Sequence, residues 1–132
     1  MQNNEQIYYF LKSNGFEQVQ KDNSDFFGDY YDTFSNHIYQ IRFSSSKSFE
    51  TVDIRSNQPN ENWYDLSLVK ALLCNEKELN YTTTILEHRE FLKNELCNIS
   101  ELFNQKEYPN TRRKLDQLGN ERVRQMFPEI TK

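Results

Sequence analysis

Two cysteines, three prolines and three glycines in 132 residues close off several protein classes at once. Cys74 and Cys97 are too few and too far apart for a disulfide framework or a zinc site. A reduced, cytosolic chain is the expectation. With so little Gly and Pro, and a sustained apolar pattern, the chain is expected to fold in spite of a mean hydropathy of -0.94. No apolar run approaches the roughly 18 residues needed to span a bilayer. The opening residues MQNNEQIYYFLKSNGF lack the basic start, apolar stretch and small-residue cleavage site of a signal peptide. Gly15, Gly28 and Gly119 stand alone, so no glycine loop can cradle a phosphate. Histidine is almost as scarce. His88 has no second His at the spacing of a zinc-protease helix, and His37 and His88 read as surface or half-buried side chains. The net charge of -4 disfavours nonspecific binding to nucleic acid or to an anionic membrane.

Aromatic residues are plentiful: ten Phe, eight Tyr and one Trp, against two Met. The core is therefore expected to be largely aromatic. The length suits one domain spanning residues 1–132. Charge is unevenly spread. Residues 16–66 carry nine acids and four bases, whereas residues 105–132 carry four acids and seven bases.

A first helix is predicted from about Asn4 to Asn14. Asn3 can cap it, Ile7, Phe10 and Leu11 share a face, and Gly15 stands where a left-handed residue ends a helix. Phe16 to Gln20 reads as a short strand. From about Phe26 to Arg55 the apolar period becomes two: Tyr39, Ile41 and Phe43 alternate with polar neighbours, as do Val52 and Ile54. Ser35-Asn36 and the serine tract 44–48 are the expected turns, and Gly28 a possible bulge. Helical patterns then return over 63–74, capped by Asn62, over 84–104, and from Pro109 to about Phe127. Thr84 and Glu87 have capping-box spacing. The second of these helices carries Ile85, Leu92, Leu96, Ile99 and Phe103 as one stripe, and the third Leu115, Leu118, Arg122 and Met126. The order α-β-β-β-β-α-α-α segregates strands from helices. It predicts an α+β fold, an antiparallel meander of three to four strands with helices packed on one face. The other face is left open to water or to a partner.

Nothing in the chain spells out a reaction. Both cysteines sit among apolar neighbours on helices, where core packing is the default, and neither has a base oriented beside it. The aspartates have no calcium-loop spacing, so neither a metal nor a cofactor is expected, and no catalytic residue is assigned. Glu107, Arg112, Arg113 and Lys114 crowd the start of the last helix, where pairing with acids elsewhere is the simplest account. Trp63 is read either as a core plug or as a binding residue.

The most distinctive stretch is Asp22 to Phe34, DNSDFFGDYYDTF, with four aspartates among five aromatics and no Lys or Arg. Aromatics supply buried area and carboxylates supply steering, a combination suited to a basic partner. The alternative is a core strand whose outward positions happen to be aspartate. Asp22, Asp25, Asp29, Tyr30, Asp32 and Asp53 are the candidate contact residues.

The layout, and the stretches FLKSNGF at 10–16, TVDIR at 51–55, WYDL at 63–66 and MFP at 126–128, resemble those of immunity proteins. These belong to bacterial polymorphic-toxin and contact-dependent growth-inhibition systems. The resemblance implies a cytosolic, non-enzymatic antidote that binds a cognate toxin domain, commonly a nuclease with a basic cleft. Other readings stay open: a small-molecule-binding domain with an aromatic pocket between sheet and helices, another protein-interaction module, or a carboxylate-based enzyme.

Overall fold

The computed structural model describes residues 4–23, 29–47 and 49–128. Asp25, Gly28 and the predicted cap Asn3 lie outside the described residues. The elements run α1 (Glu5–Ser13), β1 (Glu17–Asn23), β2 (Tyr30–Ser35), β3 (Tyr39–Ser46), β4 (Phe49–Ser56), β5 (Tyr64–Asp65), α2 (Leu66–Cys74), α3 (Ile85–Leu102) and α4 (Tyr108–Met126). The fold is α+β, as the segregated pattern predicts. Among the described residues five strands form one antiparallel meander in sequence order, β1-β2-β3-β4-β5, and the outer edge of β1 carries no strand.

Side-chain alternation sets the two faces. Tyr30 and Phe34 of β2, Tyr39, Ile41 and Phe43 of β3, Val52 and Ile54 of β4, and Tyr64 of β5 all point inward and are buried. The helices pack on these residues. Tyr8 of α1 lies 4.6 Å from the Phe34 ring and 5.1 Å from Phe43. Phe103, just after α3, stacks between Tyr39 and Tyr108. Leu11, Leu66, Leu92, Ile99 and Leu115 complete an aromatic-aliphatic core with no exposure. At roughly 1.5–3 kcal/mol for each fully buried large side chain, this layer drives the fold.

Local signals account for most boundaries. Gly15 has a φ of +91°, and the amides of Asn14 and Phe16 both return to the Leu11 carbonyl, closing α1. Phe16 then turns inward against Tyr39. Thr84 and Glu87 form the reciprocal capping box that starts α3. Several expectations need correction. The hairpin turn falls within the serine tract, but at Lys47 with a φ of +52°, because β3 runs on through Ser46. Asn62 caps nothing, because the chain first adds the short strand β5, and Asp65 caps α2 by accepting from the Ser67 amide at 2.9 Å. Cys74 and Cys97 are exposed instead of packed in the core. His88, expected near the surface, is 3% exposed, and Met126 is 46% exposed. Among the described residues no helix is long and apolar enough to cross a membrane.

Helix α4 also covers the β5 side of the sheet. Tyr64 donates to Asp116 at 2.6 Å, Arg122 reaches Asp65 at 3.3 Å, and Glu61 accepts from both Tyr108 and Arg112. The basic start of α4 is thus largely satisfied internally, since Arg113 bonds the Asn110 side chain.

Candidate functional site

With all helices on one side, the second face of the sheet is uncovered among the described residues. Outward positions alternate with the core residues: Tyr31 and Thr33 on β2, Gln40, Arg42 and Ser44 on β3, Thr51, Asp53 and Arg55 on β4. Arg42 and Asp53 stand directly opposite in the β3–β4 register, and they form an ion pair at 3.1 Å. The Arg42 guanidinium lies 4.0 Å from the centroid of the Trp63 ring, and it donates to the Tyr31 hydroxyl at 2.6 Å. Arg55 approaches the same tryptophan from 6.0 Å while its Nε bonds the Glu61 carbonyl. Trp63 is therefore neither a core plug nor a helix start. It lies half-buried over the uncovered face and presses two guanidinium groups against the sheet.

Electrostatics at this cluster are close to balanced. Burial holds the Asp53 carboxyl above its ordinary range; Arg42 opposes that shift and Asp65 adds to it. Desolvation outweighs the ion pair here, as it does where two charges leave water without full compensation. Arg42 Nε is buried without a hydrogen-bond partner among the described residues.

The acidic end of the face is different. A cleft of about 320 Å³ opens between the ends of β1, β2 and β3, and Asp22, Asp29, Tyr30 and Tyr31 line it. Asp29 accepts from the Lys47 backbone amide at 3.0 Å, which fixes its side chain at the mouth. Asp22 is exposed, beside Tyr31 in the β1–β2 register. None of the ion pairs among the described residues uses either carboxylate.

The structure thus brings together three of the six candidate contact residues, Asp22, Asp29 and Tyr30, with only the last buried. Tyr30 points to the helix side, where its hydroxyl donates to Glu50 at 2.7 Å and accepts from Asn4 at 3.0 Å. Asp32 is the clearest correction. It is 2% exposed and faces the helices, because the alternation that turns Tyr31 and Thr33 outward turns Asp32 inward with Tyr30 and Phe34. Its carboxylate accepts from the Tyr8 hydroxyl at 2.7 Å. Asp53 lies mid-face, already paired, and Asp25 is among the residues not described. Arg42 was missed as a site residue, although its polar position between Ile41 and Phe43 signalled an outward side chain.

Where the alternative small-molecule reading would need an aromatic pocket between sheet and helices, Phe34, Phe43, Leu92 and their neighbours form a buried core. A concavity of about 660 Å³ lies instead between α2 and α4, with Leu72, Leu79 and Leu118 among the residues that line it. Among the described residues no three His, Cys, Asp or Glu side chains converge to hold a metal ion. Comparison of the chain with protein-family models, with curated proteins and with solved structures finds no match in any of the three.

Proposed function

We propose that the protein is a cytosolic, non-catalytic antidote that binds and neutralises a cognate toxin domain, in the manner of an immunity protein. The uncovered sheet face is its docking surface. One observation carries the reading: Asp22 and Asp29 line a single open cleft beside Tyr31, and no cation among the described residues forms an ion pair with them. A lysine or arginine of the partner entering that cleft meets two carboxylates, of which Asp29 is already held by the Lys47 amide. The half-exposed Tyr31 and Trp63 supply the rigid aromatic area on which protein interfaces concentrate their binding energy. Charge at the acidic end raises the encounter rate, and contact with the aromatic cluster slows dissociation. The basic partner expected from the sequence is retained on narrower grounds. Only the β1–β2 end of the face is acidic, while its centre is balanced by Arg42 and Arg55.

The test is to identify a neighbouring reading frame that ends in a small basic domain, coexpress that domain with this protein, and titrate the pair at low and physiological salt. The double variant Asp22→Asn/Asp29→Asn keeps the acceptor for the Lys47 amide. It is expected to bind about 100-fold more weakly at low salt, with an unchanged thermal midpoint. Equal affinities for variant and wild type would remove the acidic cleft from the interface.

A further inference from the structure

We infer that a second groove, between α1 and β1, is a binding site for an alkylammonium or guanidinium group, with Asp32 as its anionic floor. The groove lies on the helix side of β1 and measures about 350 Å³, at the lower end of the roughly 300–1,000 Å³ typical of ligand sites. It does not rest on the toxin-binding reading. Asp22 of that reading pairs with Tyr31 on the uncovered face, whereas its neighbour Lys21 pairs with Asp32 on the helix face.

Asp32 is the least explained charge in the molecule. It is 98% buried, yet its side-chain partners among the described residues are neutral: the Tyr8 hydroxyl at 2.7 Å and the Gln18 amide at a long 3.4 Å. None of the ion pairs among the described residues includes it. A carboxylate removed from water in this way is costly unless a cation completes its shell. Oδ1, with only the long bond, is the oxygen with capacity to spare. The walls suit the stem of such a cation. Tyr8 and Tyr9 line the groove, and the Tyr9 ring is 75% exposed, leaving an aromatic surface for a methylene chain.

The chain's own lysines are the rivals for this position. Lys12 and Lys21 also line the groove, with Glu5 opposing them, and both lysines are exposed. Lys21 stands opposite Asp32 in register without forming an ion pair to it. The free edge of β1 runs beside the groove and offers unpaired backbone groups to an extended segment. Two sources can therefore deliver the same chemistry, a free amine or the Lys or Arg side chain of a polypeptide.

Amide chemical shifts of the labelled protein, followed during titration, separate these cases. The probes are agmatine and n-butylammonium, n-butanol as the neutral control, and the peptide acetyl-Ala-Val-Arg-Val-Ala-amide. The expected result is saturable shifts at Tyr8, Tyr9, Gln18 and Lys21 with the cations and none with butanol. Asp32→Asn, which keeps an acceptor for Tyr8, should weaken binding at least about tenfold, and Asp22→Asn should not. A peptide that binds more tightly than agmatine, with shifts running along β1, identifies a polypeptide source. Equal affinities identify a free amine. Should Asp32→Asn not fold, Tyr9→Ser at its exposed position carries the test, with a severalfold loss expected. Absence of saturable shifts in the wild type, or equal weakening by Asp22→Asn, overturns the assignment.

Discussion

The side-chain amide of Asn4 donates to the Tyr30 hydroxyl at 3.0 Å, joining the residue before α1 to the first residue of β2. Asn4 is fully buried, and its Oδ1 accepts from Arg89 Nε of α3 at 2.8 Å. Each tyrosine next to it donates a hydrogen bond to a carboxylate, Tyr30 to Glu50 and Tyr8 to Asp32. Burial first, and the carboxylate second, raise both hydroxyls well above the ordinary tyrosine range. Asn4→Ala leaves several of these groups short of a partner at once. A loss of about 2–3 kcal/mol is expected in urea unfolding, against about 1–2 kcal/mol for Tyr30→Phe. A loss below about 0.5 kcal/mol for Asn4→Ala would mean that water replaces its bonds.

Trp63 is the only tryptophan, so its fluorescence reports directly on the Arg42 guanidinium 4.0 Å away. Arg42→Ala removes that cover and the partner of Asp53. Emission is expected to shift to the red and stability to fall by about 1–2 kcal/mol. The Asp53 carboxyl, which burial already raises against the pull of Arg42, should titrate at still higher pH. An unmoved Asp53 titration in carboxyl-carbon NMR would show that the ion pair contributes nothing there.

His88 supplies a pH dependence with a definite sign. Burial pushes its imidazole below the ordinary histidine value; Asp65 and Glu87 work against that shift and Lys70 with it. Its Nδ1 has no hydrogen-bond partner among the described residues. Because the folded pKa is depressed, the unfolded chain takes up the proton first. Stability is therefore full above about pH 6.5 and falls as the pH drops below it towards the folded value. His88→Leu should remove this part of the slope between pH 7 and pH 5 while changing stability little at pH 7. Identical slopes for the two proteins in urea midpoints would remove His88 as the cause.

The capping box offers a cleaner local test. The Thr84 hydroxyl accepts from the Glu87 amide at 3.2 Å, and Glu87 accepts in return from the Thr84 amide at 3.0 Å. Thr84→Ala is expected to cost about 1 kcal/mol and Thr84→Ser much less. Equal losses for the two variants in thermal unfolding would point to the methyl group instead of the hydrogen bond.

Periodicity carried most of the fold. The alternation through Tyr39–Phe43 and Val52–Ile54 fixed the inner face, and Thr84 with Glu87 fixed the start of α3, because these signals act within a few residues. Tertiary consequences were harder to read. Tyr64–Asp65 is too short to show a strand period, and its place depends on β4 across the turn and on α4 much later in the chain. Asp32 looked like one more surface aspartate because counting acids ignores which face each occupies. Alternation from Phe34 back through Asp32 to Tyr30 held that information. Cys74 and Cys97 show the converse: apolar neighbours along a helix do not bury a residue on its outer side. The partner-facing role proposed for Asp22 and Asp29 depends on a surface left uncovered among the described residues, and no local pattern encodes that.

The contacts of α4 with Glu61, Tyr64 and Asp65 reach back 47 to 57 residues along the chain. During synthesis the meander and α1 can assemble while the last helix is still inside the ribosome. Until it emerges, these polar side chains must stay hydrated and that flank of the sheet remains bare. A nascent chain halted before residue 108 therefore exposes a border that only the C-terminal helix can seal, and it is there that a chaperone has most to protect.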